Sequence, residues 1–216
     1  MSGPAFTLTP EILLHAYTRG IFPMADGRDS AEIHWVDPRH RGVLPLNGFH
    51  VSRSLRRRIR KADYNVDLNV DFAGVVDACA DREETWINDE IRDLYIALHQ
   101  MGHAHSLEIR HDGHLTGGVY GGAIGGAFFG ESMFSRKTDA SKLALAHLVD
   151  HLNRCRFSLF DTQFITPHLT SLGAQEISRA SYHALLREAL KRQTDLRGQT
   201  LGSTPHSVLQ PKTQTS

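Results

Sequence analysis

Asp161-Thr162-Gln163 is the segment of this sequence with the most chemical content. It lies inside an apolar run, Phe157-Ser-Leu-Phe-Asp-Thr-Gln-Phe-Ile165, whose composition predicts a strand. A period of two would put Asp161 and Gln163 on one face, with Phe160 and Phe164 on the other. Polar side chains on a buried face are costly unless satisfied. The pair therefore reads as a hydrogen-bonded core pair, as part of an edge strand, or as a site in which a carboxylate orients a glutamine. Glutamine is no Brønsted base, but its carbonyl can accept a hydrogen from an attacking amine and so aim the nitrogen lone pair. Glu131, at the end of a glycine-rich strand, is either a strand-end surface residue or a ligand for an amine or hydroxyl.

Other chemistries are poorly served. Of the fourteen histidines, His99 and His103 stand four apart, but Gly102 breaks the helix between them and no acid occupies a metalloprotease position, so no metal is expected. The glycine run 117–126 matches neither a phosphate loop nor a dinucleotide fingerprint. Ser132 and Ser135 have no His–acid pair in a fitting motif. Trp86, in a loop, reads as core or as a stacking surface for a base. Asp139 is expected to cap the helix that follows it, with Lys142 in its first turn.

The elements that must hold these residues fall into two groups. Thr9-Pro10-Glu11 opens a first helix that Gly20 ends. Arg53 to Lys61 predicts a short helix whose Leu55 and Ile59 dock while Arg56, Arg57, Arg58, Arg60 and Lys61 cover the remaining faces. That reads as a solvated face or as a surface for an anionic partner. Helices follow over 71–80 and 90–101. Beyond Gly102, segments 105–110, 115–121 and 127–135 predict strands, then a helix from 139, a strand over 157–165 and a helix over 179–192. The order β-β-β-α-β-α is that of an acetyltransferase-like (GNAT-like) α+β fold with a mostly antiparallel sheet. The expected division is a small N-terminal domain over 1–102, a catalytic domain over 103–194 and a disordered polar tail over 195–216.

Composition narrows the setting. The 216 residues hold 24 Lys+Arg against 24 Asp+Glu, yet from Arg39 to Lys61 there are eight bases and no acid, and from Asp63 to Asp93 ten acids and two bases. Cys79 and Cys155 form no metal or redox motif. No apolar run approaches a membrane span, and Met1-Ser2-Gly3-Pro4 lacks a signal-peptide layout, so a cytoplasmic protein is expected.

The motifs Gly20-Ile-Phe-Pro23, Phe49-His-Val-Ser-Arg-Ser-Leu55, Thr85-Trp-Ile87, Gly102-His-Ala-His-Ser106, Phe129-Gly-Glu-Ser-Met-Phe-Ser135, Ala140-Ser-Lys142, Asp161-Thr-Gln163 and Ser171-Leu-Gly-Ala174 occur in that order. Together they resemble leucyl/phenylalanyl-tRNA–protein transferases from about Thr7 to Leu190. The resemblance implies transfer of Leu, Phe or Met from aminoacyl-tRNA to proteins that begin with Arg or Lys, which marks them for N-degron degradation. It implies a monomer that needs no cofactor. It assigns Asp161 and Gln163 to a catalytic acid–amide pair and Glu131 to a substrate-orienting role. Trp86 and Met24 fall at the terminal adenosine, where many relatives carry Trp in place of Met24. Val119, Phe128, Leu145, Leu148, Leu152 and Phe160 fall on the aminoacyl side-chain pocket, and Arg56, Arg57, Arg58, Arg60 and Lys61 on the tRNA-binding patch. Val36-Asp37-Pro38-Arg39 and Thr162 also depart from the usual family residues. Two rival readings are an acyl-CoA-dependent acetyltransferase, for which 135–140 is a poor pyrophosphate loop, and a non-catalytic RNA-binding module, which leaves Asp161, Gln163 and Glu131 without a purpose.

Overall fold

Helix starts are set by side-chain caps. In the structure, a computed structural model that describes residues 8–25, 27, 33–83, 85–202 and 208–209, Thr9 accepts the Ile12 N–H to open α1 (Pro10–Thr18). A short ribbon follows, β1 (Phe22–Ala25) paired antiparallel with β2 (Ile33–Val36), and then β3 (His40–Val43). Ser52 caps α2 (Arg53–Lys61) by accepting the Leu55 N–H at 3.1 Å, and Leu55 and Ile59 are its buried residues. Next come β4 (Asn65–Leu68), α3 (Phe72–Ala80) capped by Asp71, and α4 (Asp89–Gln100) capped by Asn88.

The rest of the sheet is β5 (Ala104–His111), β6 (His114–Ile124), β7 (Ala127–Ser135) and β8 (Leu159–Gln163), with α5 (Ala140–Arg154) between the last two. A short α6 (Pro167–Ser171), the edge strand β9 (Gln175–Ser178) and α7 (Arg179–Leu190) close the chain's regular part. Among the described residues the main sheet has seven strands in the order β4-β5-β6-β7-β8-β3-β9. Every pair is antiparallel except β7 with β8. This is the expected acetyltransferase-like α+β arrangement. Sandwiching the sheet are two apolar clusters, one with α1, α3, α4 and α7, the other with α2, α5 and α6.

Three expectations differ from what is observed. The sheet takes strands from both sides of residue 102: β4 pairs with β5, and β3 is inserted between β8 and β9. Asp139 does not cap α5; it has φ +64, its carboxylate takes the Lys142 ammonium at 2.8 Å, and Ser135 Oγ accepts the Ser141 N–H instead. In the tail, Leu196 is buried and its carbonyl lies 2.6 Å from His151 Nε2, because α5 leaves an apolar edge that Leu196 covers. The tail residues 203–207 and 210–216, and residues 1–7 of the N-terminal domain, lie outside the described residues. Among the described residues no helix is long and apolar enough to cross a membrane.

Candidate active site at the fork between two parallel strands

The parallel pair is short. Ala127, Phe128 and Phe129 stand opposite Leu159, Phe160 and Asp161, and there the pairing stops. Both strands take an extra residue at that level. On β7, Gly130 and Ser132 face Gly121 and Tyr120, consecutive residues of β6, so Glu131 is the insertion. On β8, Asp161 and Gln163 face Val43 and Gly42, so Thr162 is the insertion. Such bulges bend a strand and re-aim its side chains. The two strands part like a fork, and Glu131 and Gln163 meet across it: Gln163 Nε2 donates to Glu131 Oε1 at 3.0 Å.

Glu131 is buried and sits among hydroxyls. Tyr17 Oη donates to Oε1 at 2.6 Å, and Tyr95 Oη shares a short bond with Tyr17 Oη. The carboxylate accepts from Tyr17, so Tyr95 is left as the donor to Tyr17. Oε2 is buried with no hydrogen-bond partner among the described residues. Burial pushes the carboxyl up from 4.5 to about 7, against the opposing pull of the hydrogen bonds from Tyr17 and Gln163. A carboxylate can only accept, so Gln163 must present its nitrogen there, and its carbonyl is the end left to receive a hydrogen.

Asp161 has a different position from the one expected. It is wholly buried, and Arg41 clamps it in two-pronged fashion, Nε to Oδ1 at 2.9 Å and a terminal nitrogen to Oδ2 at 2.6 Å. Tyr182 Oη adds a bond to Oδ2 at 2.7 Å. The Arg41 guanidinium also donates to the Gly20 carbonyl and lies between the Phe22 and Tyr182 rings, 4.4 Å from each centroid. Asp161 reaches Gln163 through the backbone only, accepting its N–H at 2.8 Å. The expected contact between the carboxylate and the glutamine side chain is therefore corrected. The inserted Thr162 and the left-handed φ of +61 at Gln163 break the period of two, and the glutamine side chain turns to Glu131. Arg41 escaped the sequence reading because it stood in a basic run; the signal was that a buried acid in an apolar strand needs a cation.

The apolar candidates lie together on the α5 side of the fork. Val119, Phe128, Leu145, Leu148, Leu152 and Phe160 belong to one cluster, all at most 3% exposed. Phe128 and Phe160 meet edge-on at 5.2 Å. Gly130 makes room for this: a Cβ there would sit 2.7 Å from Phe160 Cε2. Met24 and Trp86 are half-buried and pack against the other cluster. On α2, Arg56, Arg57, Arg60 and Lys61 are exposed. Arg58 is not among them. Its guanidinium turns inward to Asp63 and His111 and lies over the Tyr64 ring. Hydrogen bonds from Lys61 and Arg58 hold the Asp63 carboxyl well below its ordinary value.

Two family models match the chain, leucyl/phenylalanyl-tRNA protein transferase over residues 43–187 and the N-terminal domain of that family over residues 6–39. A leucyl/phenylalanyl-tRNA–protein transferase of Cereibacter sphaeroides is 61% identical over 216 residues, all of both chains. One of Ruegeria pomeroyi is 60% identical over 210 residues, 97% of this chain and all of the other. Among solved structures, the crystal structure of FemX is similar at TM-score 0.50 and 12% identity, covering 77% of this chain and 66% of that one, a likeness of fold alone.

Proposed function

The chain belongs to the leucyl/phenylalanyl-tRNA protein transferase family and is an aminoacyltransferase, and we propose that it moves Leu, Phe or Met from aminoacyl-tRNA to the α-amine of proteins that begin with Arg or Lys. The product carries a new N-terminal residue that marks it for N-degron degradation in the cytoplasm. The enzyme acts as a monomer.

The donor is already an activated ester, so the chemistry is one exchange at its carbonyl. The acceptor nitrogen forms a bond to that carbon, the bond to the ribose oxygen breaks, and a proton leaves the nitrogen while the ribose oxygen gains one. An α-amine titrates near ~8, so a usable neutral fraction exists at physiological pH. Glu131 takes a hydrogen of that amine at the oxygen that lacks a partner, and Gln163 accepts a second through its carbonyl, which leaves the lone pair aimed at the ester. Holding both substrates in this geometry supplies on the order of 7–11 kcal/mol of the barrier, and the proton transfer a further ~10²–10⁴-fold. Asp161, sealed by Arg41, positions Gln163 through its backbone. The cluster around Phe128, Leu145 and Phe160 receives the Leu or Phe side chain, which requires it to open, and Met24 and Trp86 flank the terminal adenosine. Arg56, Arg57, Arg60 and Lys61 meet the acceptor stem.

One observation carries this reading: the Gln163 amide bonded to a buried, half-unpartnered Glu131 at the mouth of a strand fork lined by apolar side chains. The test is transfer of radiolabelled Leu or Phe from charged tRNA to peptides that differ only in their first residue. Labelling of Arg- and Lys-starting peptides, with Ala-starting peptide unlabelled, is expected. Equal labelling of all three would remove the acceptor assignment.

A further inference from the structure

The loop between β7 and α5 carries Arg136 and Lys137, both exposed, and it starts five residues after Glu131, where β7 ends. The loop is fixed from below. The Arg136 and Lys137 N–H groups both donate to the Thr116 carbonyl, at 2.8 and 3.3 Å. Ser135 Oγ donates to the Lys137 carbonyl at 2.8 Å.

Thr116 links this loop to the cationic helix. Its hydroxyl hydrogen goes to the Ile109 carbonyl at 3.1 Å, so it must accept from His111 Nδ1, 2.7 Å away. That assignment leaves His111 Nε2 as an acceptor, and the Arg58 guanidinium supplies the donor. An unbroken run of hydrogen bonds thus leads from α2 through the β5–β6 hairpin to the loop. Burial first, then the cations Lys137 and Arg58, hold the His111 imidazolium form down. Arg58 reads here as the anchor of the strut, which ties the α2 helix to the backbone of the loop. Two acids lie close by: Asp81 stands 3.8 Å from Arg136, both groups mostly exposed, and Asp139 is bound to Lys142. Lys137 has no ion-pair partner among the described residues.

We propose that Lys137, with Arg136, binds phosphates of the donor's single-stranded 3′ end and so continues the cationic surface of α2 into the fork. This rests on the reading that α2 meets the tRNA. A strut between the two cationic segments suits a ligand whose charges are regularly spaced, and five residues of extended strand, on the order of 17 Å, separate Glu131 from the loop, a span that the nucleotides preceding the terminal adenosine can cover.

The test compares Lys137→Ala, Lys137→Arg and Arg57→Ala in binding charged tRNA over a range of salt, and in transfer from charged tRNA against transfer from aminoacyl-adenosine, which has no phosphate. Lys137→Ala should weaken tRNA binding several-fold and lower the log–log salt slope by about 0.7, the value for one single-stranded phosphate. Lys137→Arg should restore both. The penalty should be seen with charged tRNA and not with aminoacyl-adenosine. Unchanged affinity and slope in Lys137→Ala while Arg57→Ala loses both would overturn the loop assignment and leave the α2 reading standing. If neither variant loses affinity, both fall. An equal loss of transfer with aminoacyl-adenosine would also contradict the proposal, since the loop would then act on the fork itself.

Discussion

Gln163 and Glu131 come from strands whose pairing has already ended, yet the amide nitrogen of one lies 3.0 Å from a carboxylate oxygen of the other. Neither strand is regular at that level. An inserted residue in each bends the two backbones so that side chains two positions past the last pair turn toward one another. The contact is a product of two bulges and would not exist between ideal strands.

Asp161 and Arg41 predict a stability effect larger than any other single change at the site. Arg41→Ala leaves a wholly buried carboxylate without its cation, and breaking such a pair costs about 3–5 kcal/mol. Urea unfolding should show that loss in Arg41→Ala and in Asp161→Ala alike. A double variant, Arg41→Met with Asp161→Leu, should recover part of the stability without recovering transfer, because the Gln163 N–H loses its acceptor. Full activity in the double variant would take Asp161 out of the positioning of Gln163.

Much of the fold was legible in the sequence. Capping residues such as Thr9 and the alternation in 104–135 mark their elements because they act locally. The edge strand β9 and the five-residue α6 are too short for periodicity to reveal, and they form because β3 and α5 offer them surfaces. At the site, the sequence singles out the acid, the amide and the glutamate as candidates, but does not show that Gln163 bonds Glu131 with its side chain and reaches Asp161 through its backbone alone. Thr162 leaves no trace of being an insertion, and a single inserted residue reverses which neighbours share a face. Arg58 counted as one more cation in a basic run; its inward turn depends on Asp63 and on His111, which is far off in sequence.

Gly130 is held to glycine by Phe160. Adding a methyl group 2.7 Å from that ring must displace it, and the ring is one of the cluster proposed to receive the aminoacyl side chain. Gly130→Ala should cost about 1–3 kcal/mol of stability and lower transfer of Phe more than transfer of Leu. Thermal unfolding and paired donor assays check both. Equal loss for the two donors would detach Phe160 from donor selection.

The cations of α2 should separate by direction. Arg56→Ala and Arg57→Ala, exposed, should each weaken tRNA binding and lower its salt slope while leaving the unfolding midpoint nearly unmoved. Arg58→Ala should do the reverse, lowering stability by about 1–3 kcal/mol because His111 and Asp63 lose a buried or half-buried donor. Salt slopes equal to the parent's in both Arg56→Ala and Arg57→Ala would mean that these α2 cations meet no phosphate.

The raised pKa of Glu131 also has a cost in stability with a definite sign. The unfolded chain gives up this proton near 4.5 and the folded chain near 7, so stability is full below the lower value and falls as pH rises through that window. Glu131→Gln removes the penalty. The variant should gain about 1–3 kcal/mol relative to the parent on going from pH 4 to pH 8, measured by urea midpoints at the two values. A parallel response of the two proteins would place the Glu131 carboxyl in an ordinary, solvated setting.

The pH dependence of kcat/KM for transfer, compared between the parent and Glu131→Gln, bears most directly on the claim that this carboxylate takes a hydrogen from the acceptor amine. The parent should rise through two ionisations, one near 7 from Glu131 and one near ~8 from the amine. Glu131→Gln should lose on the order of 10²–10⁴-fold and keep only the higher ionisation. A variant that retains both limbs at the parental rate would contradict the account.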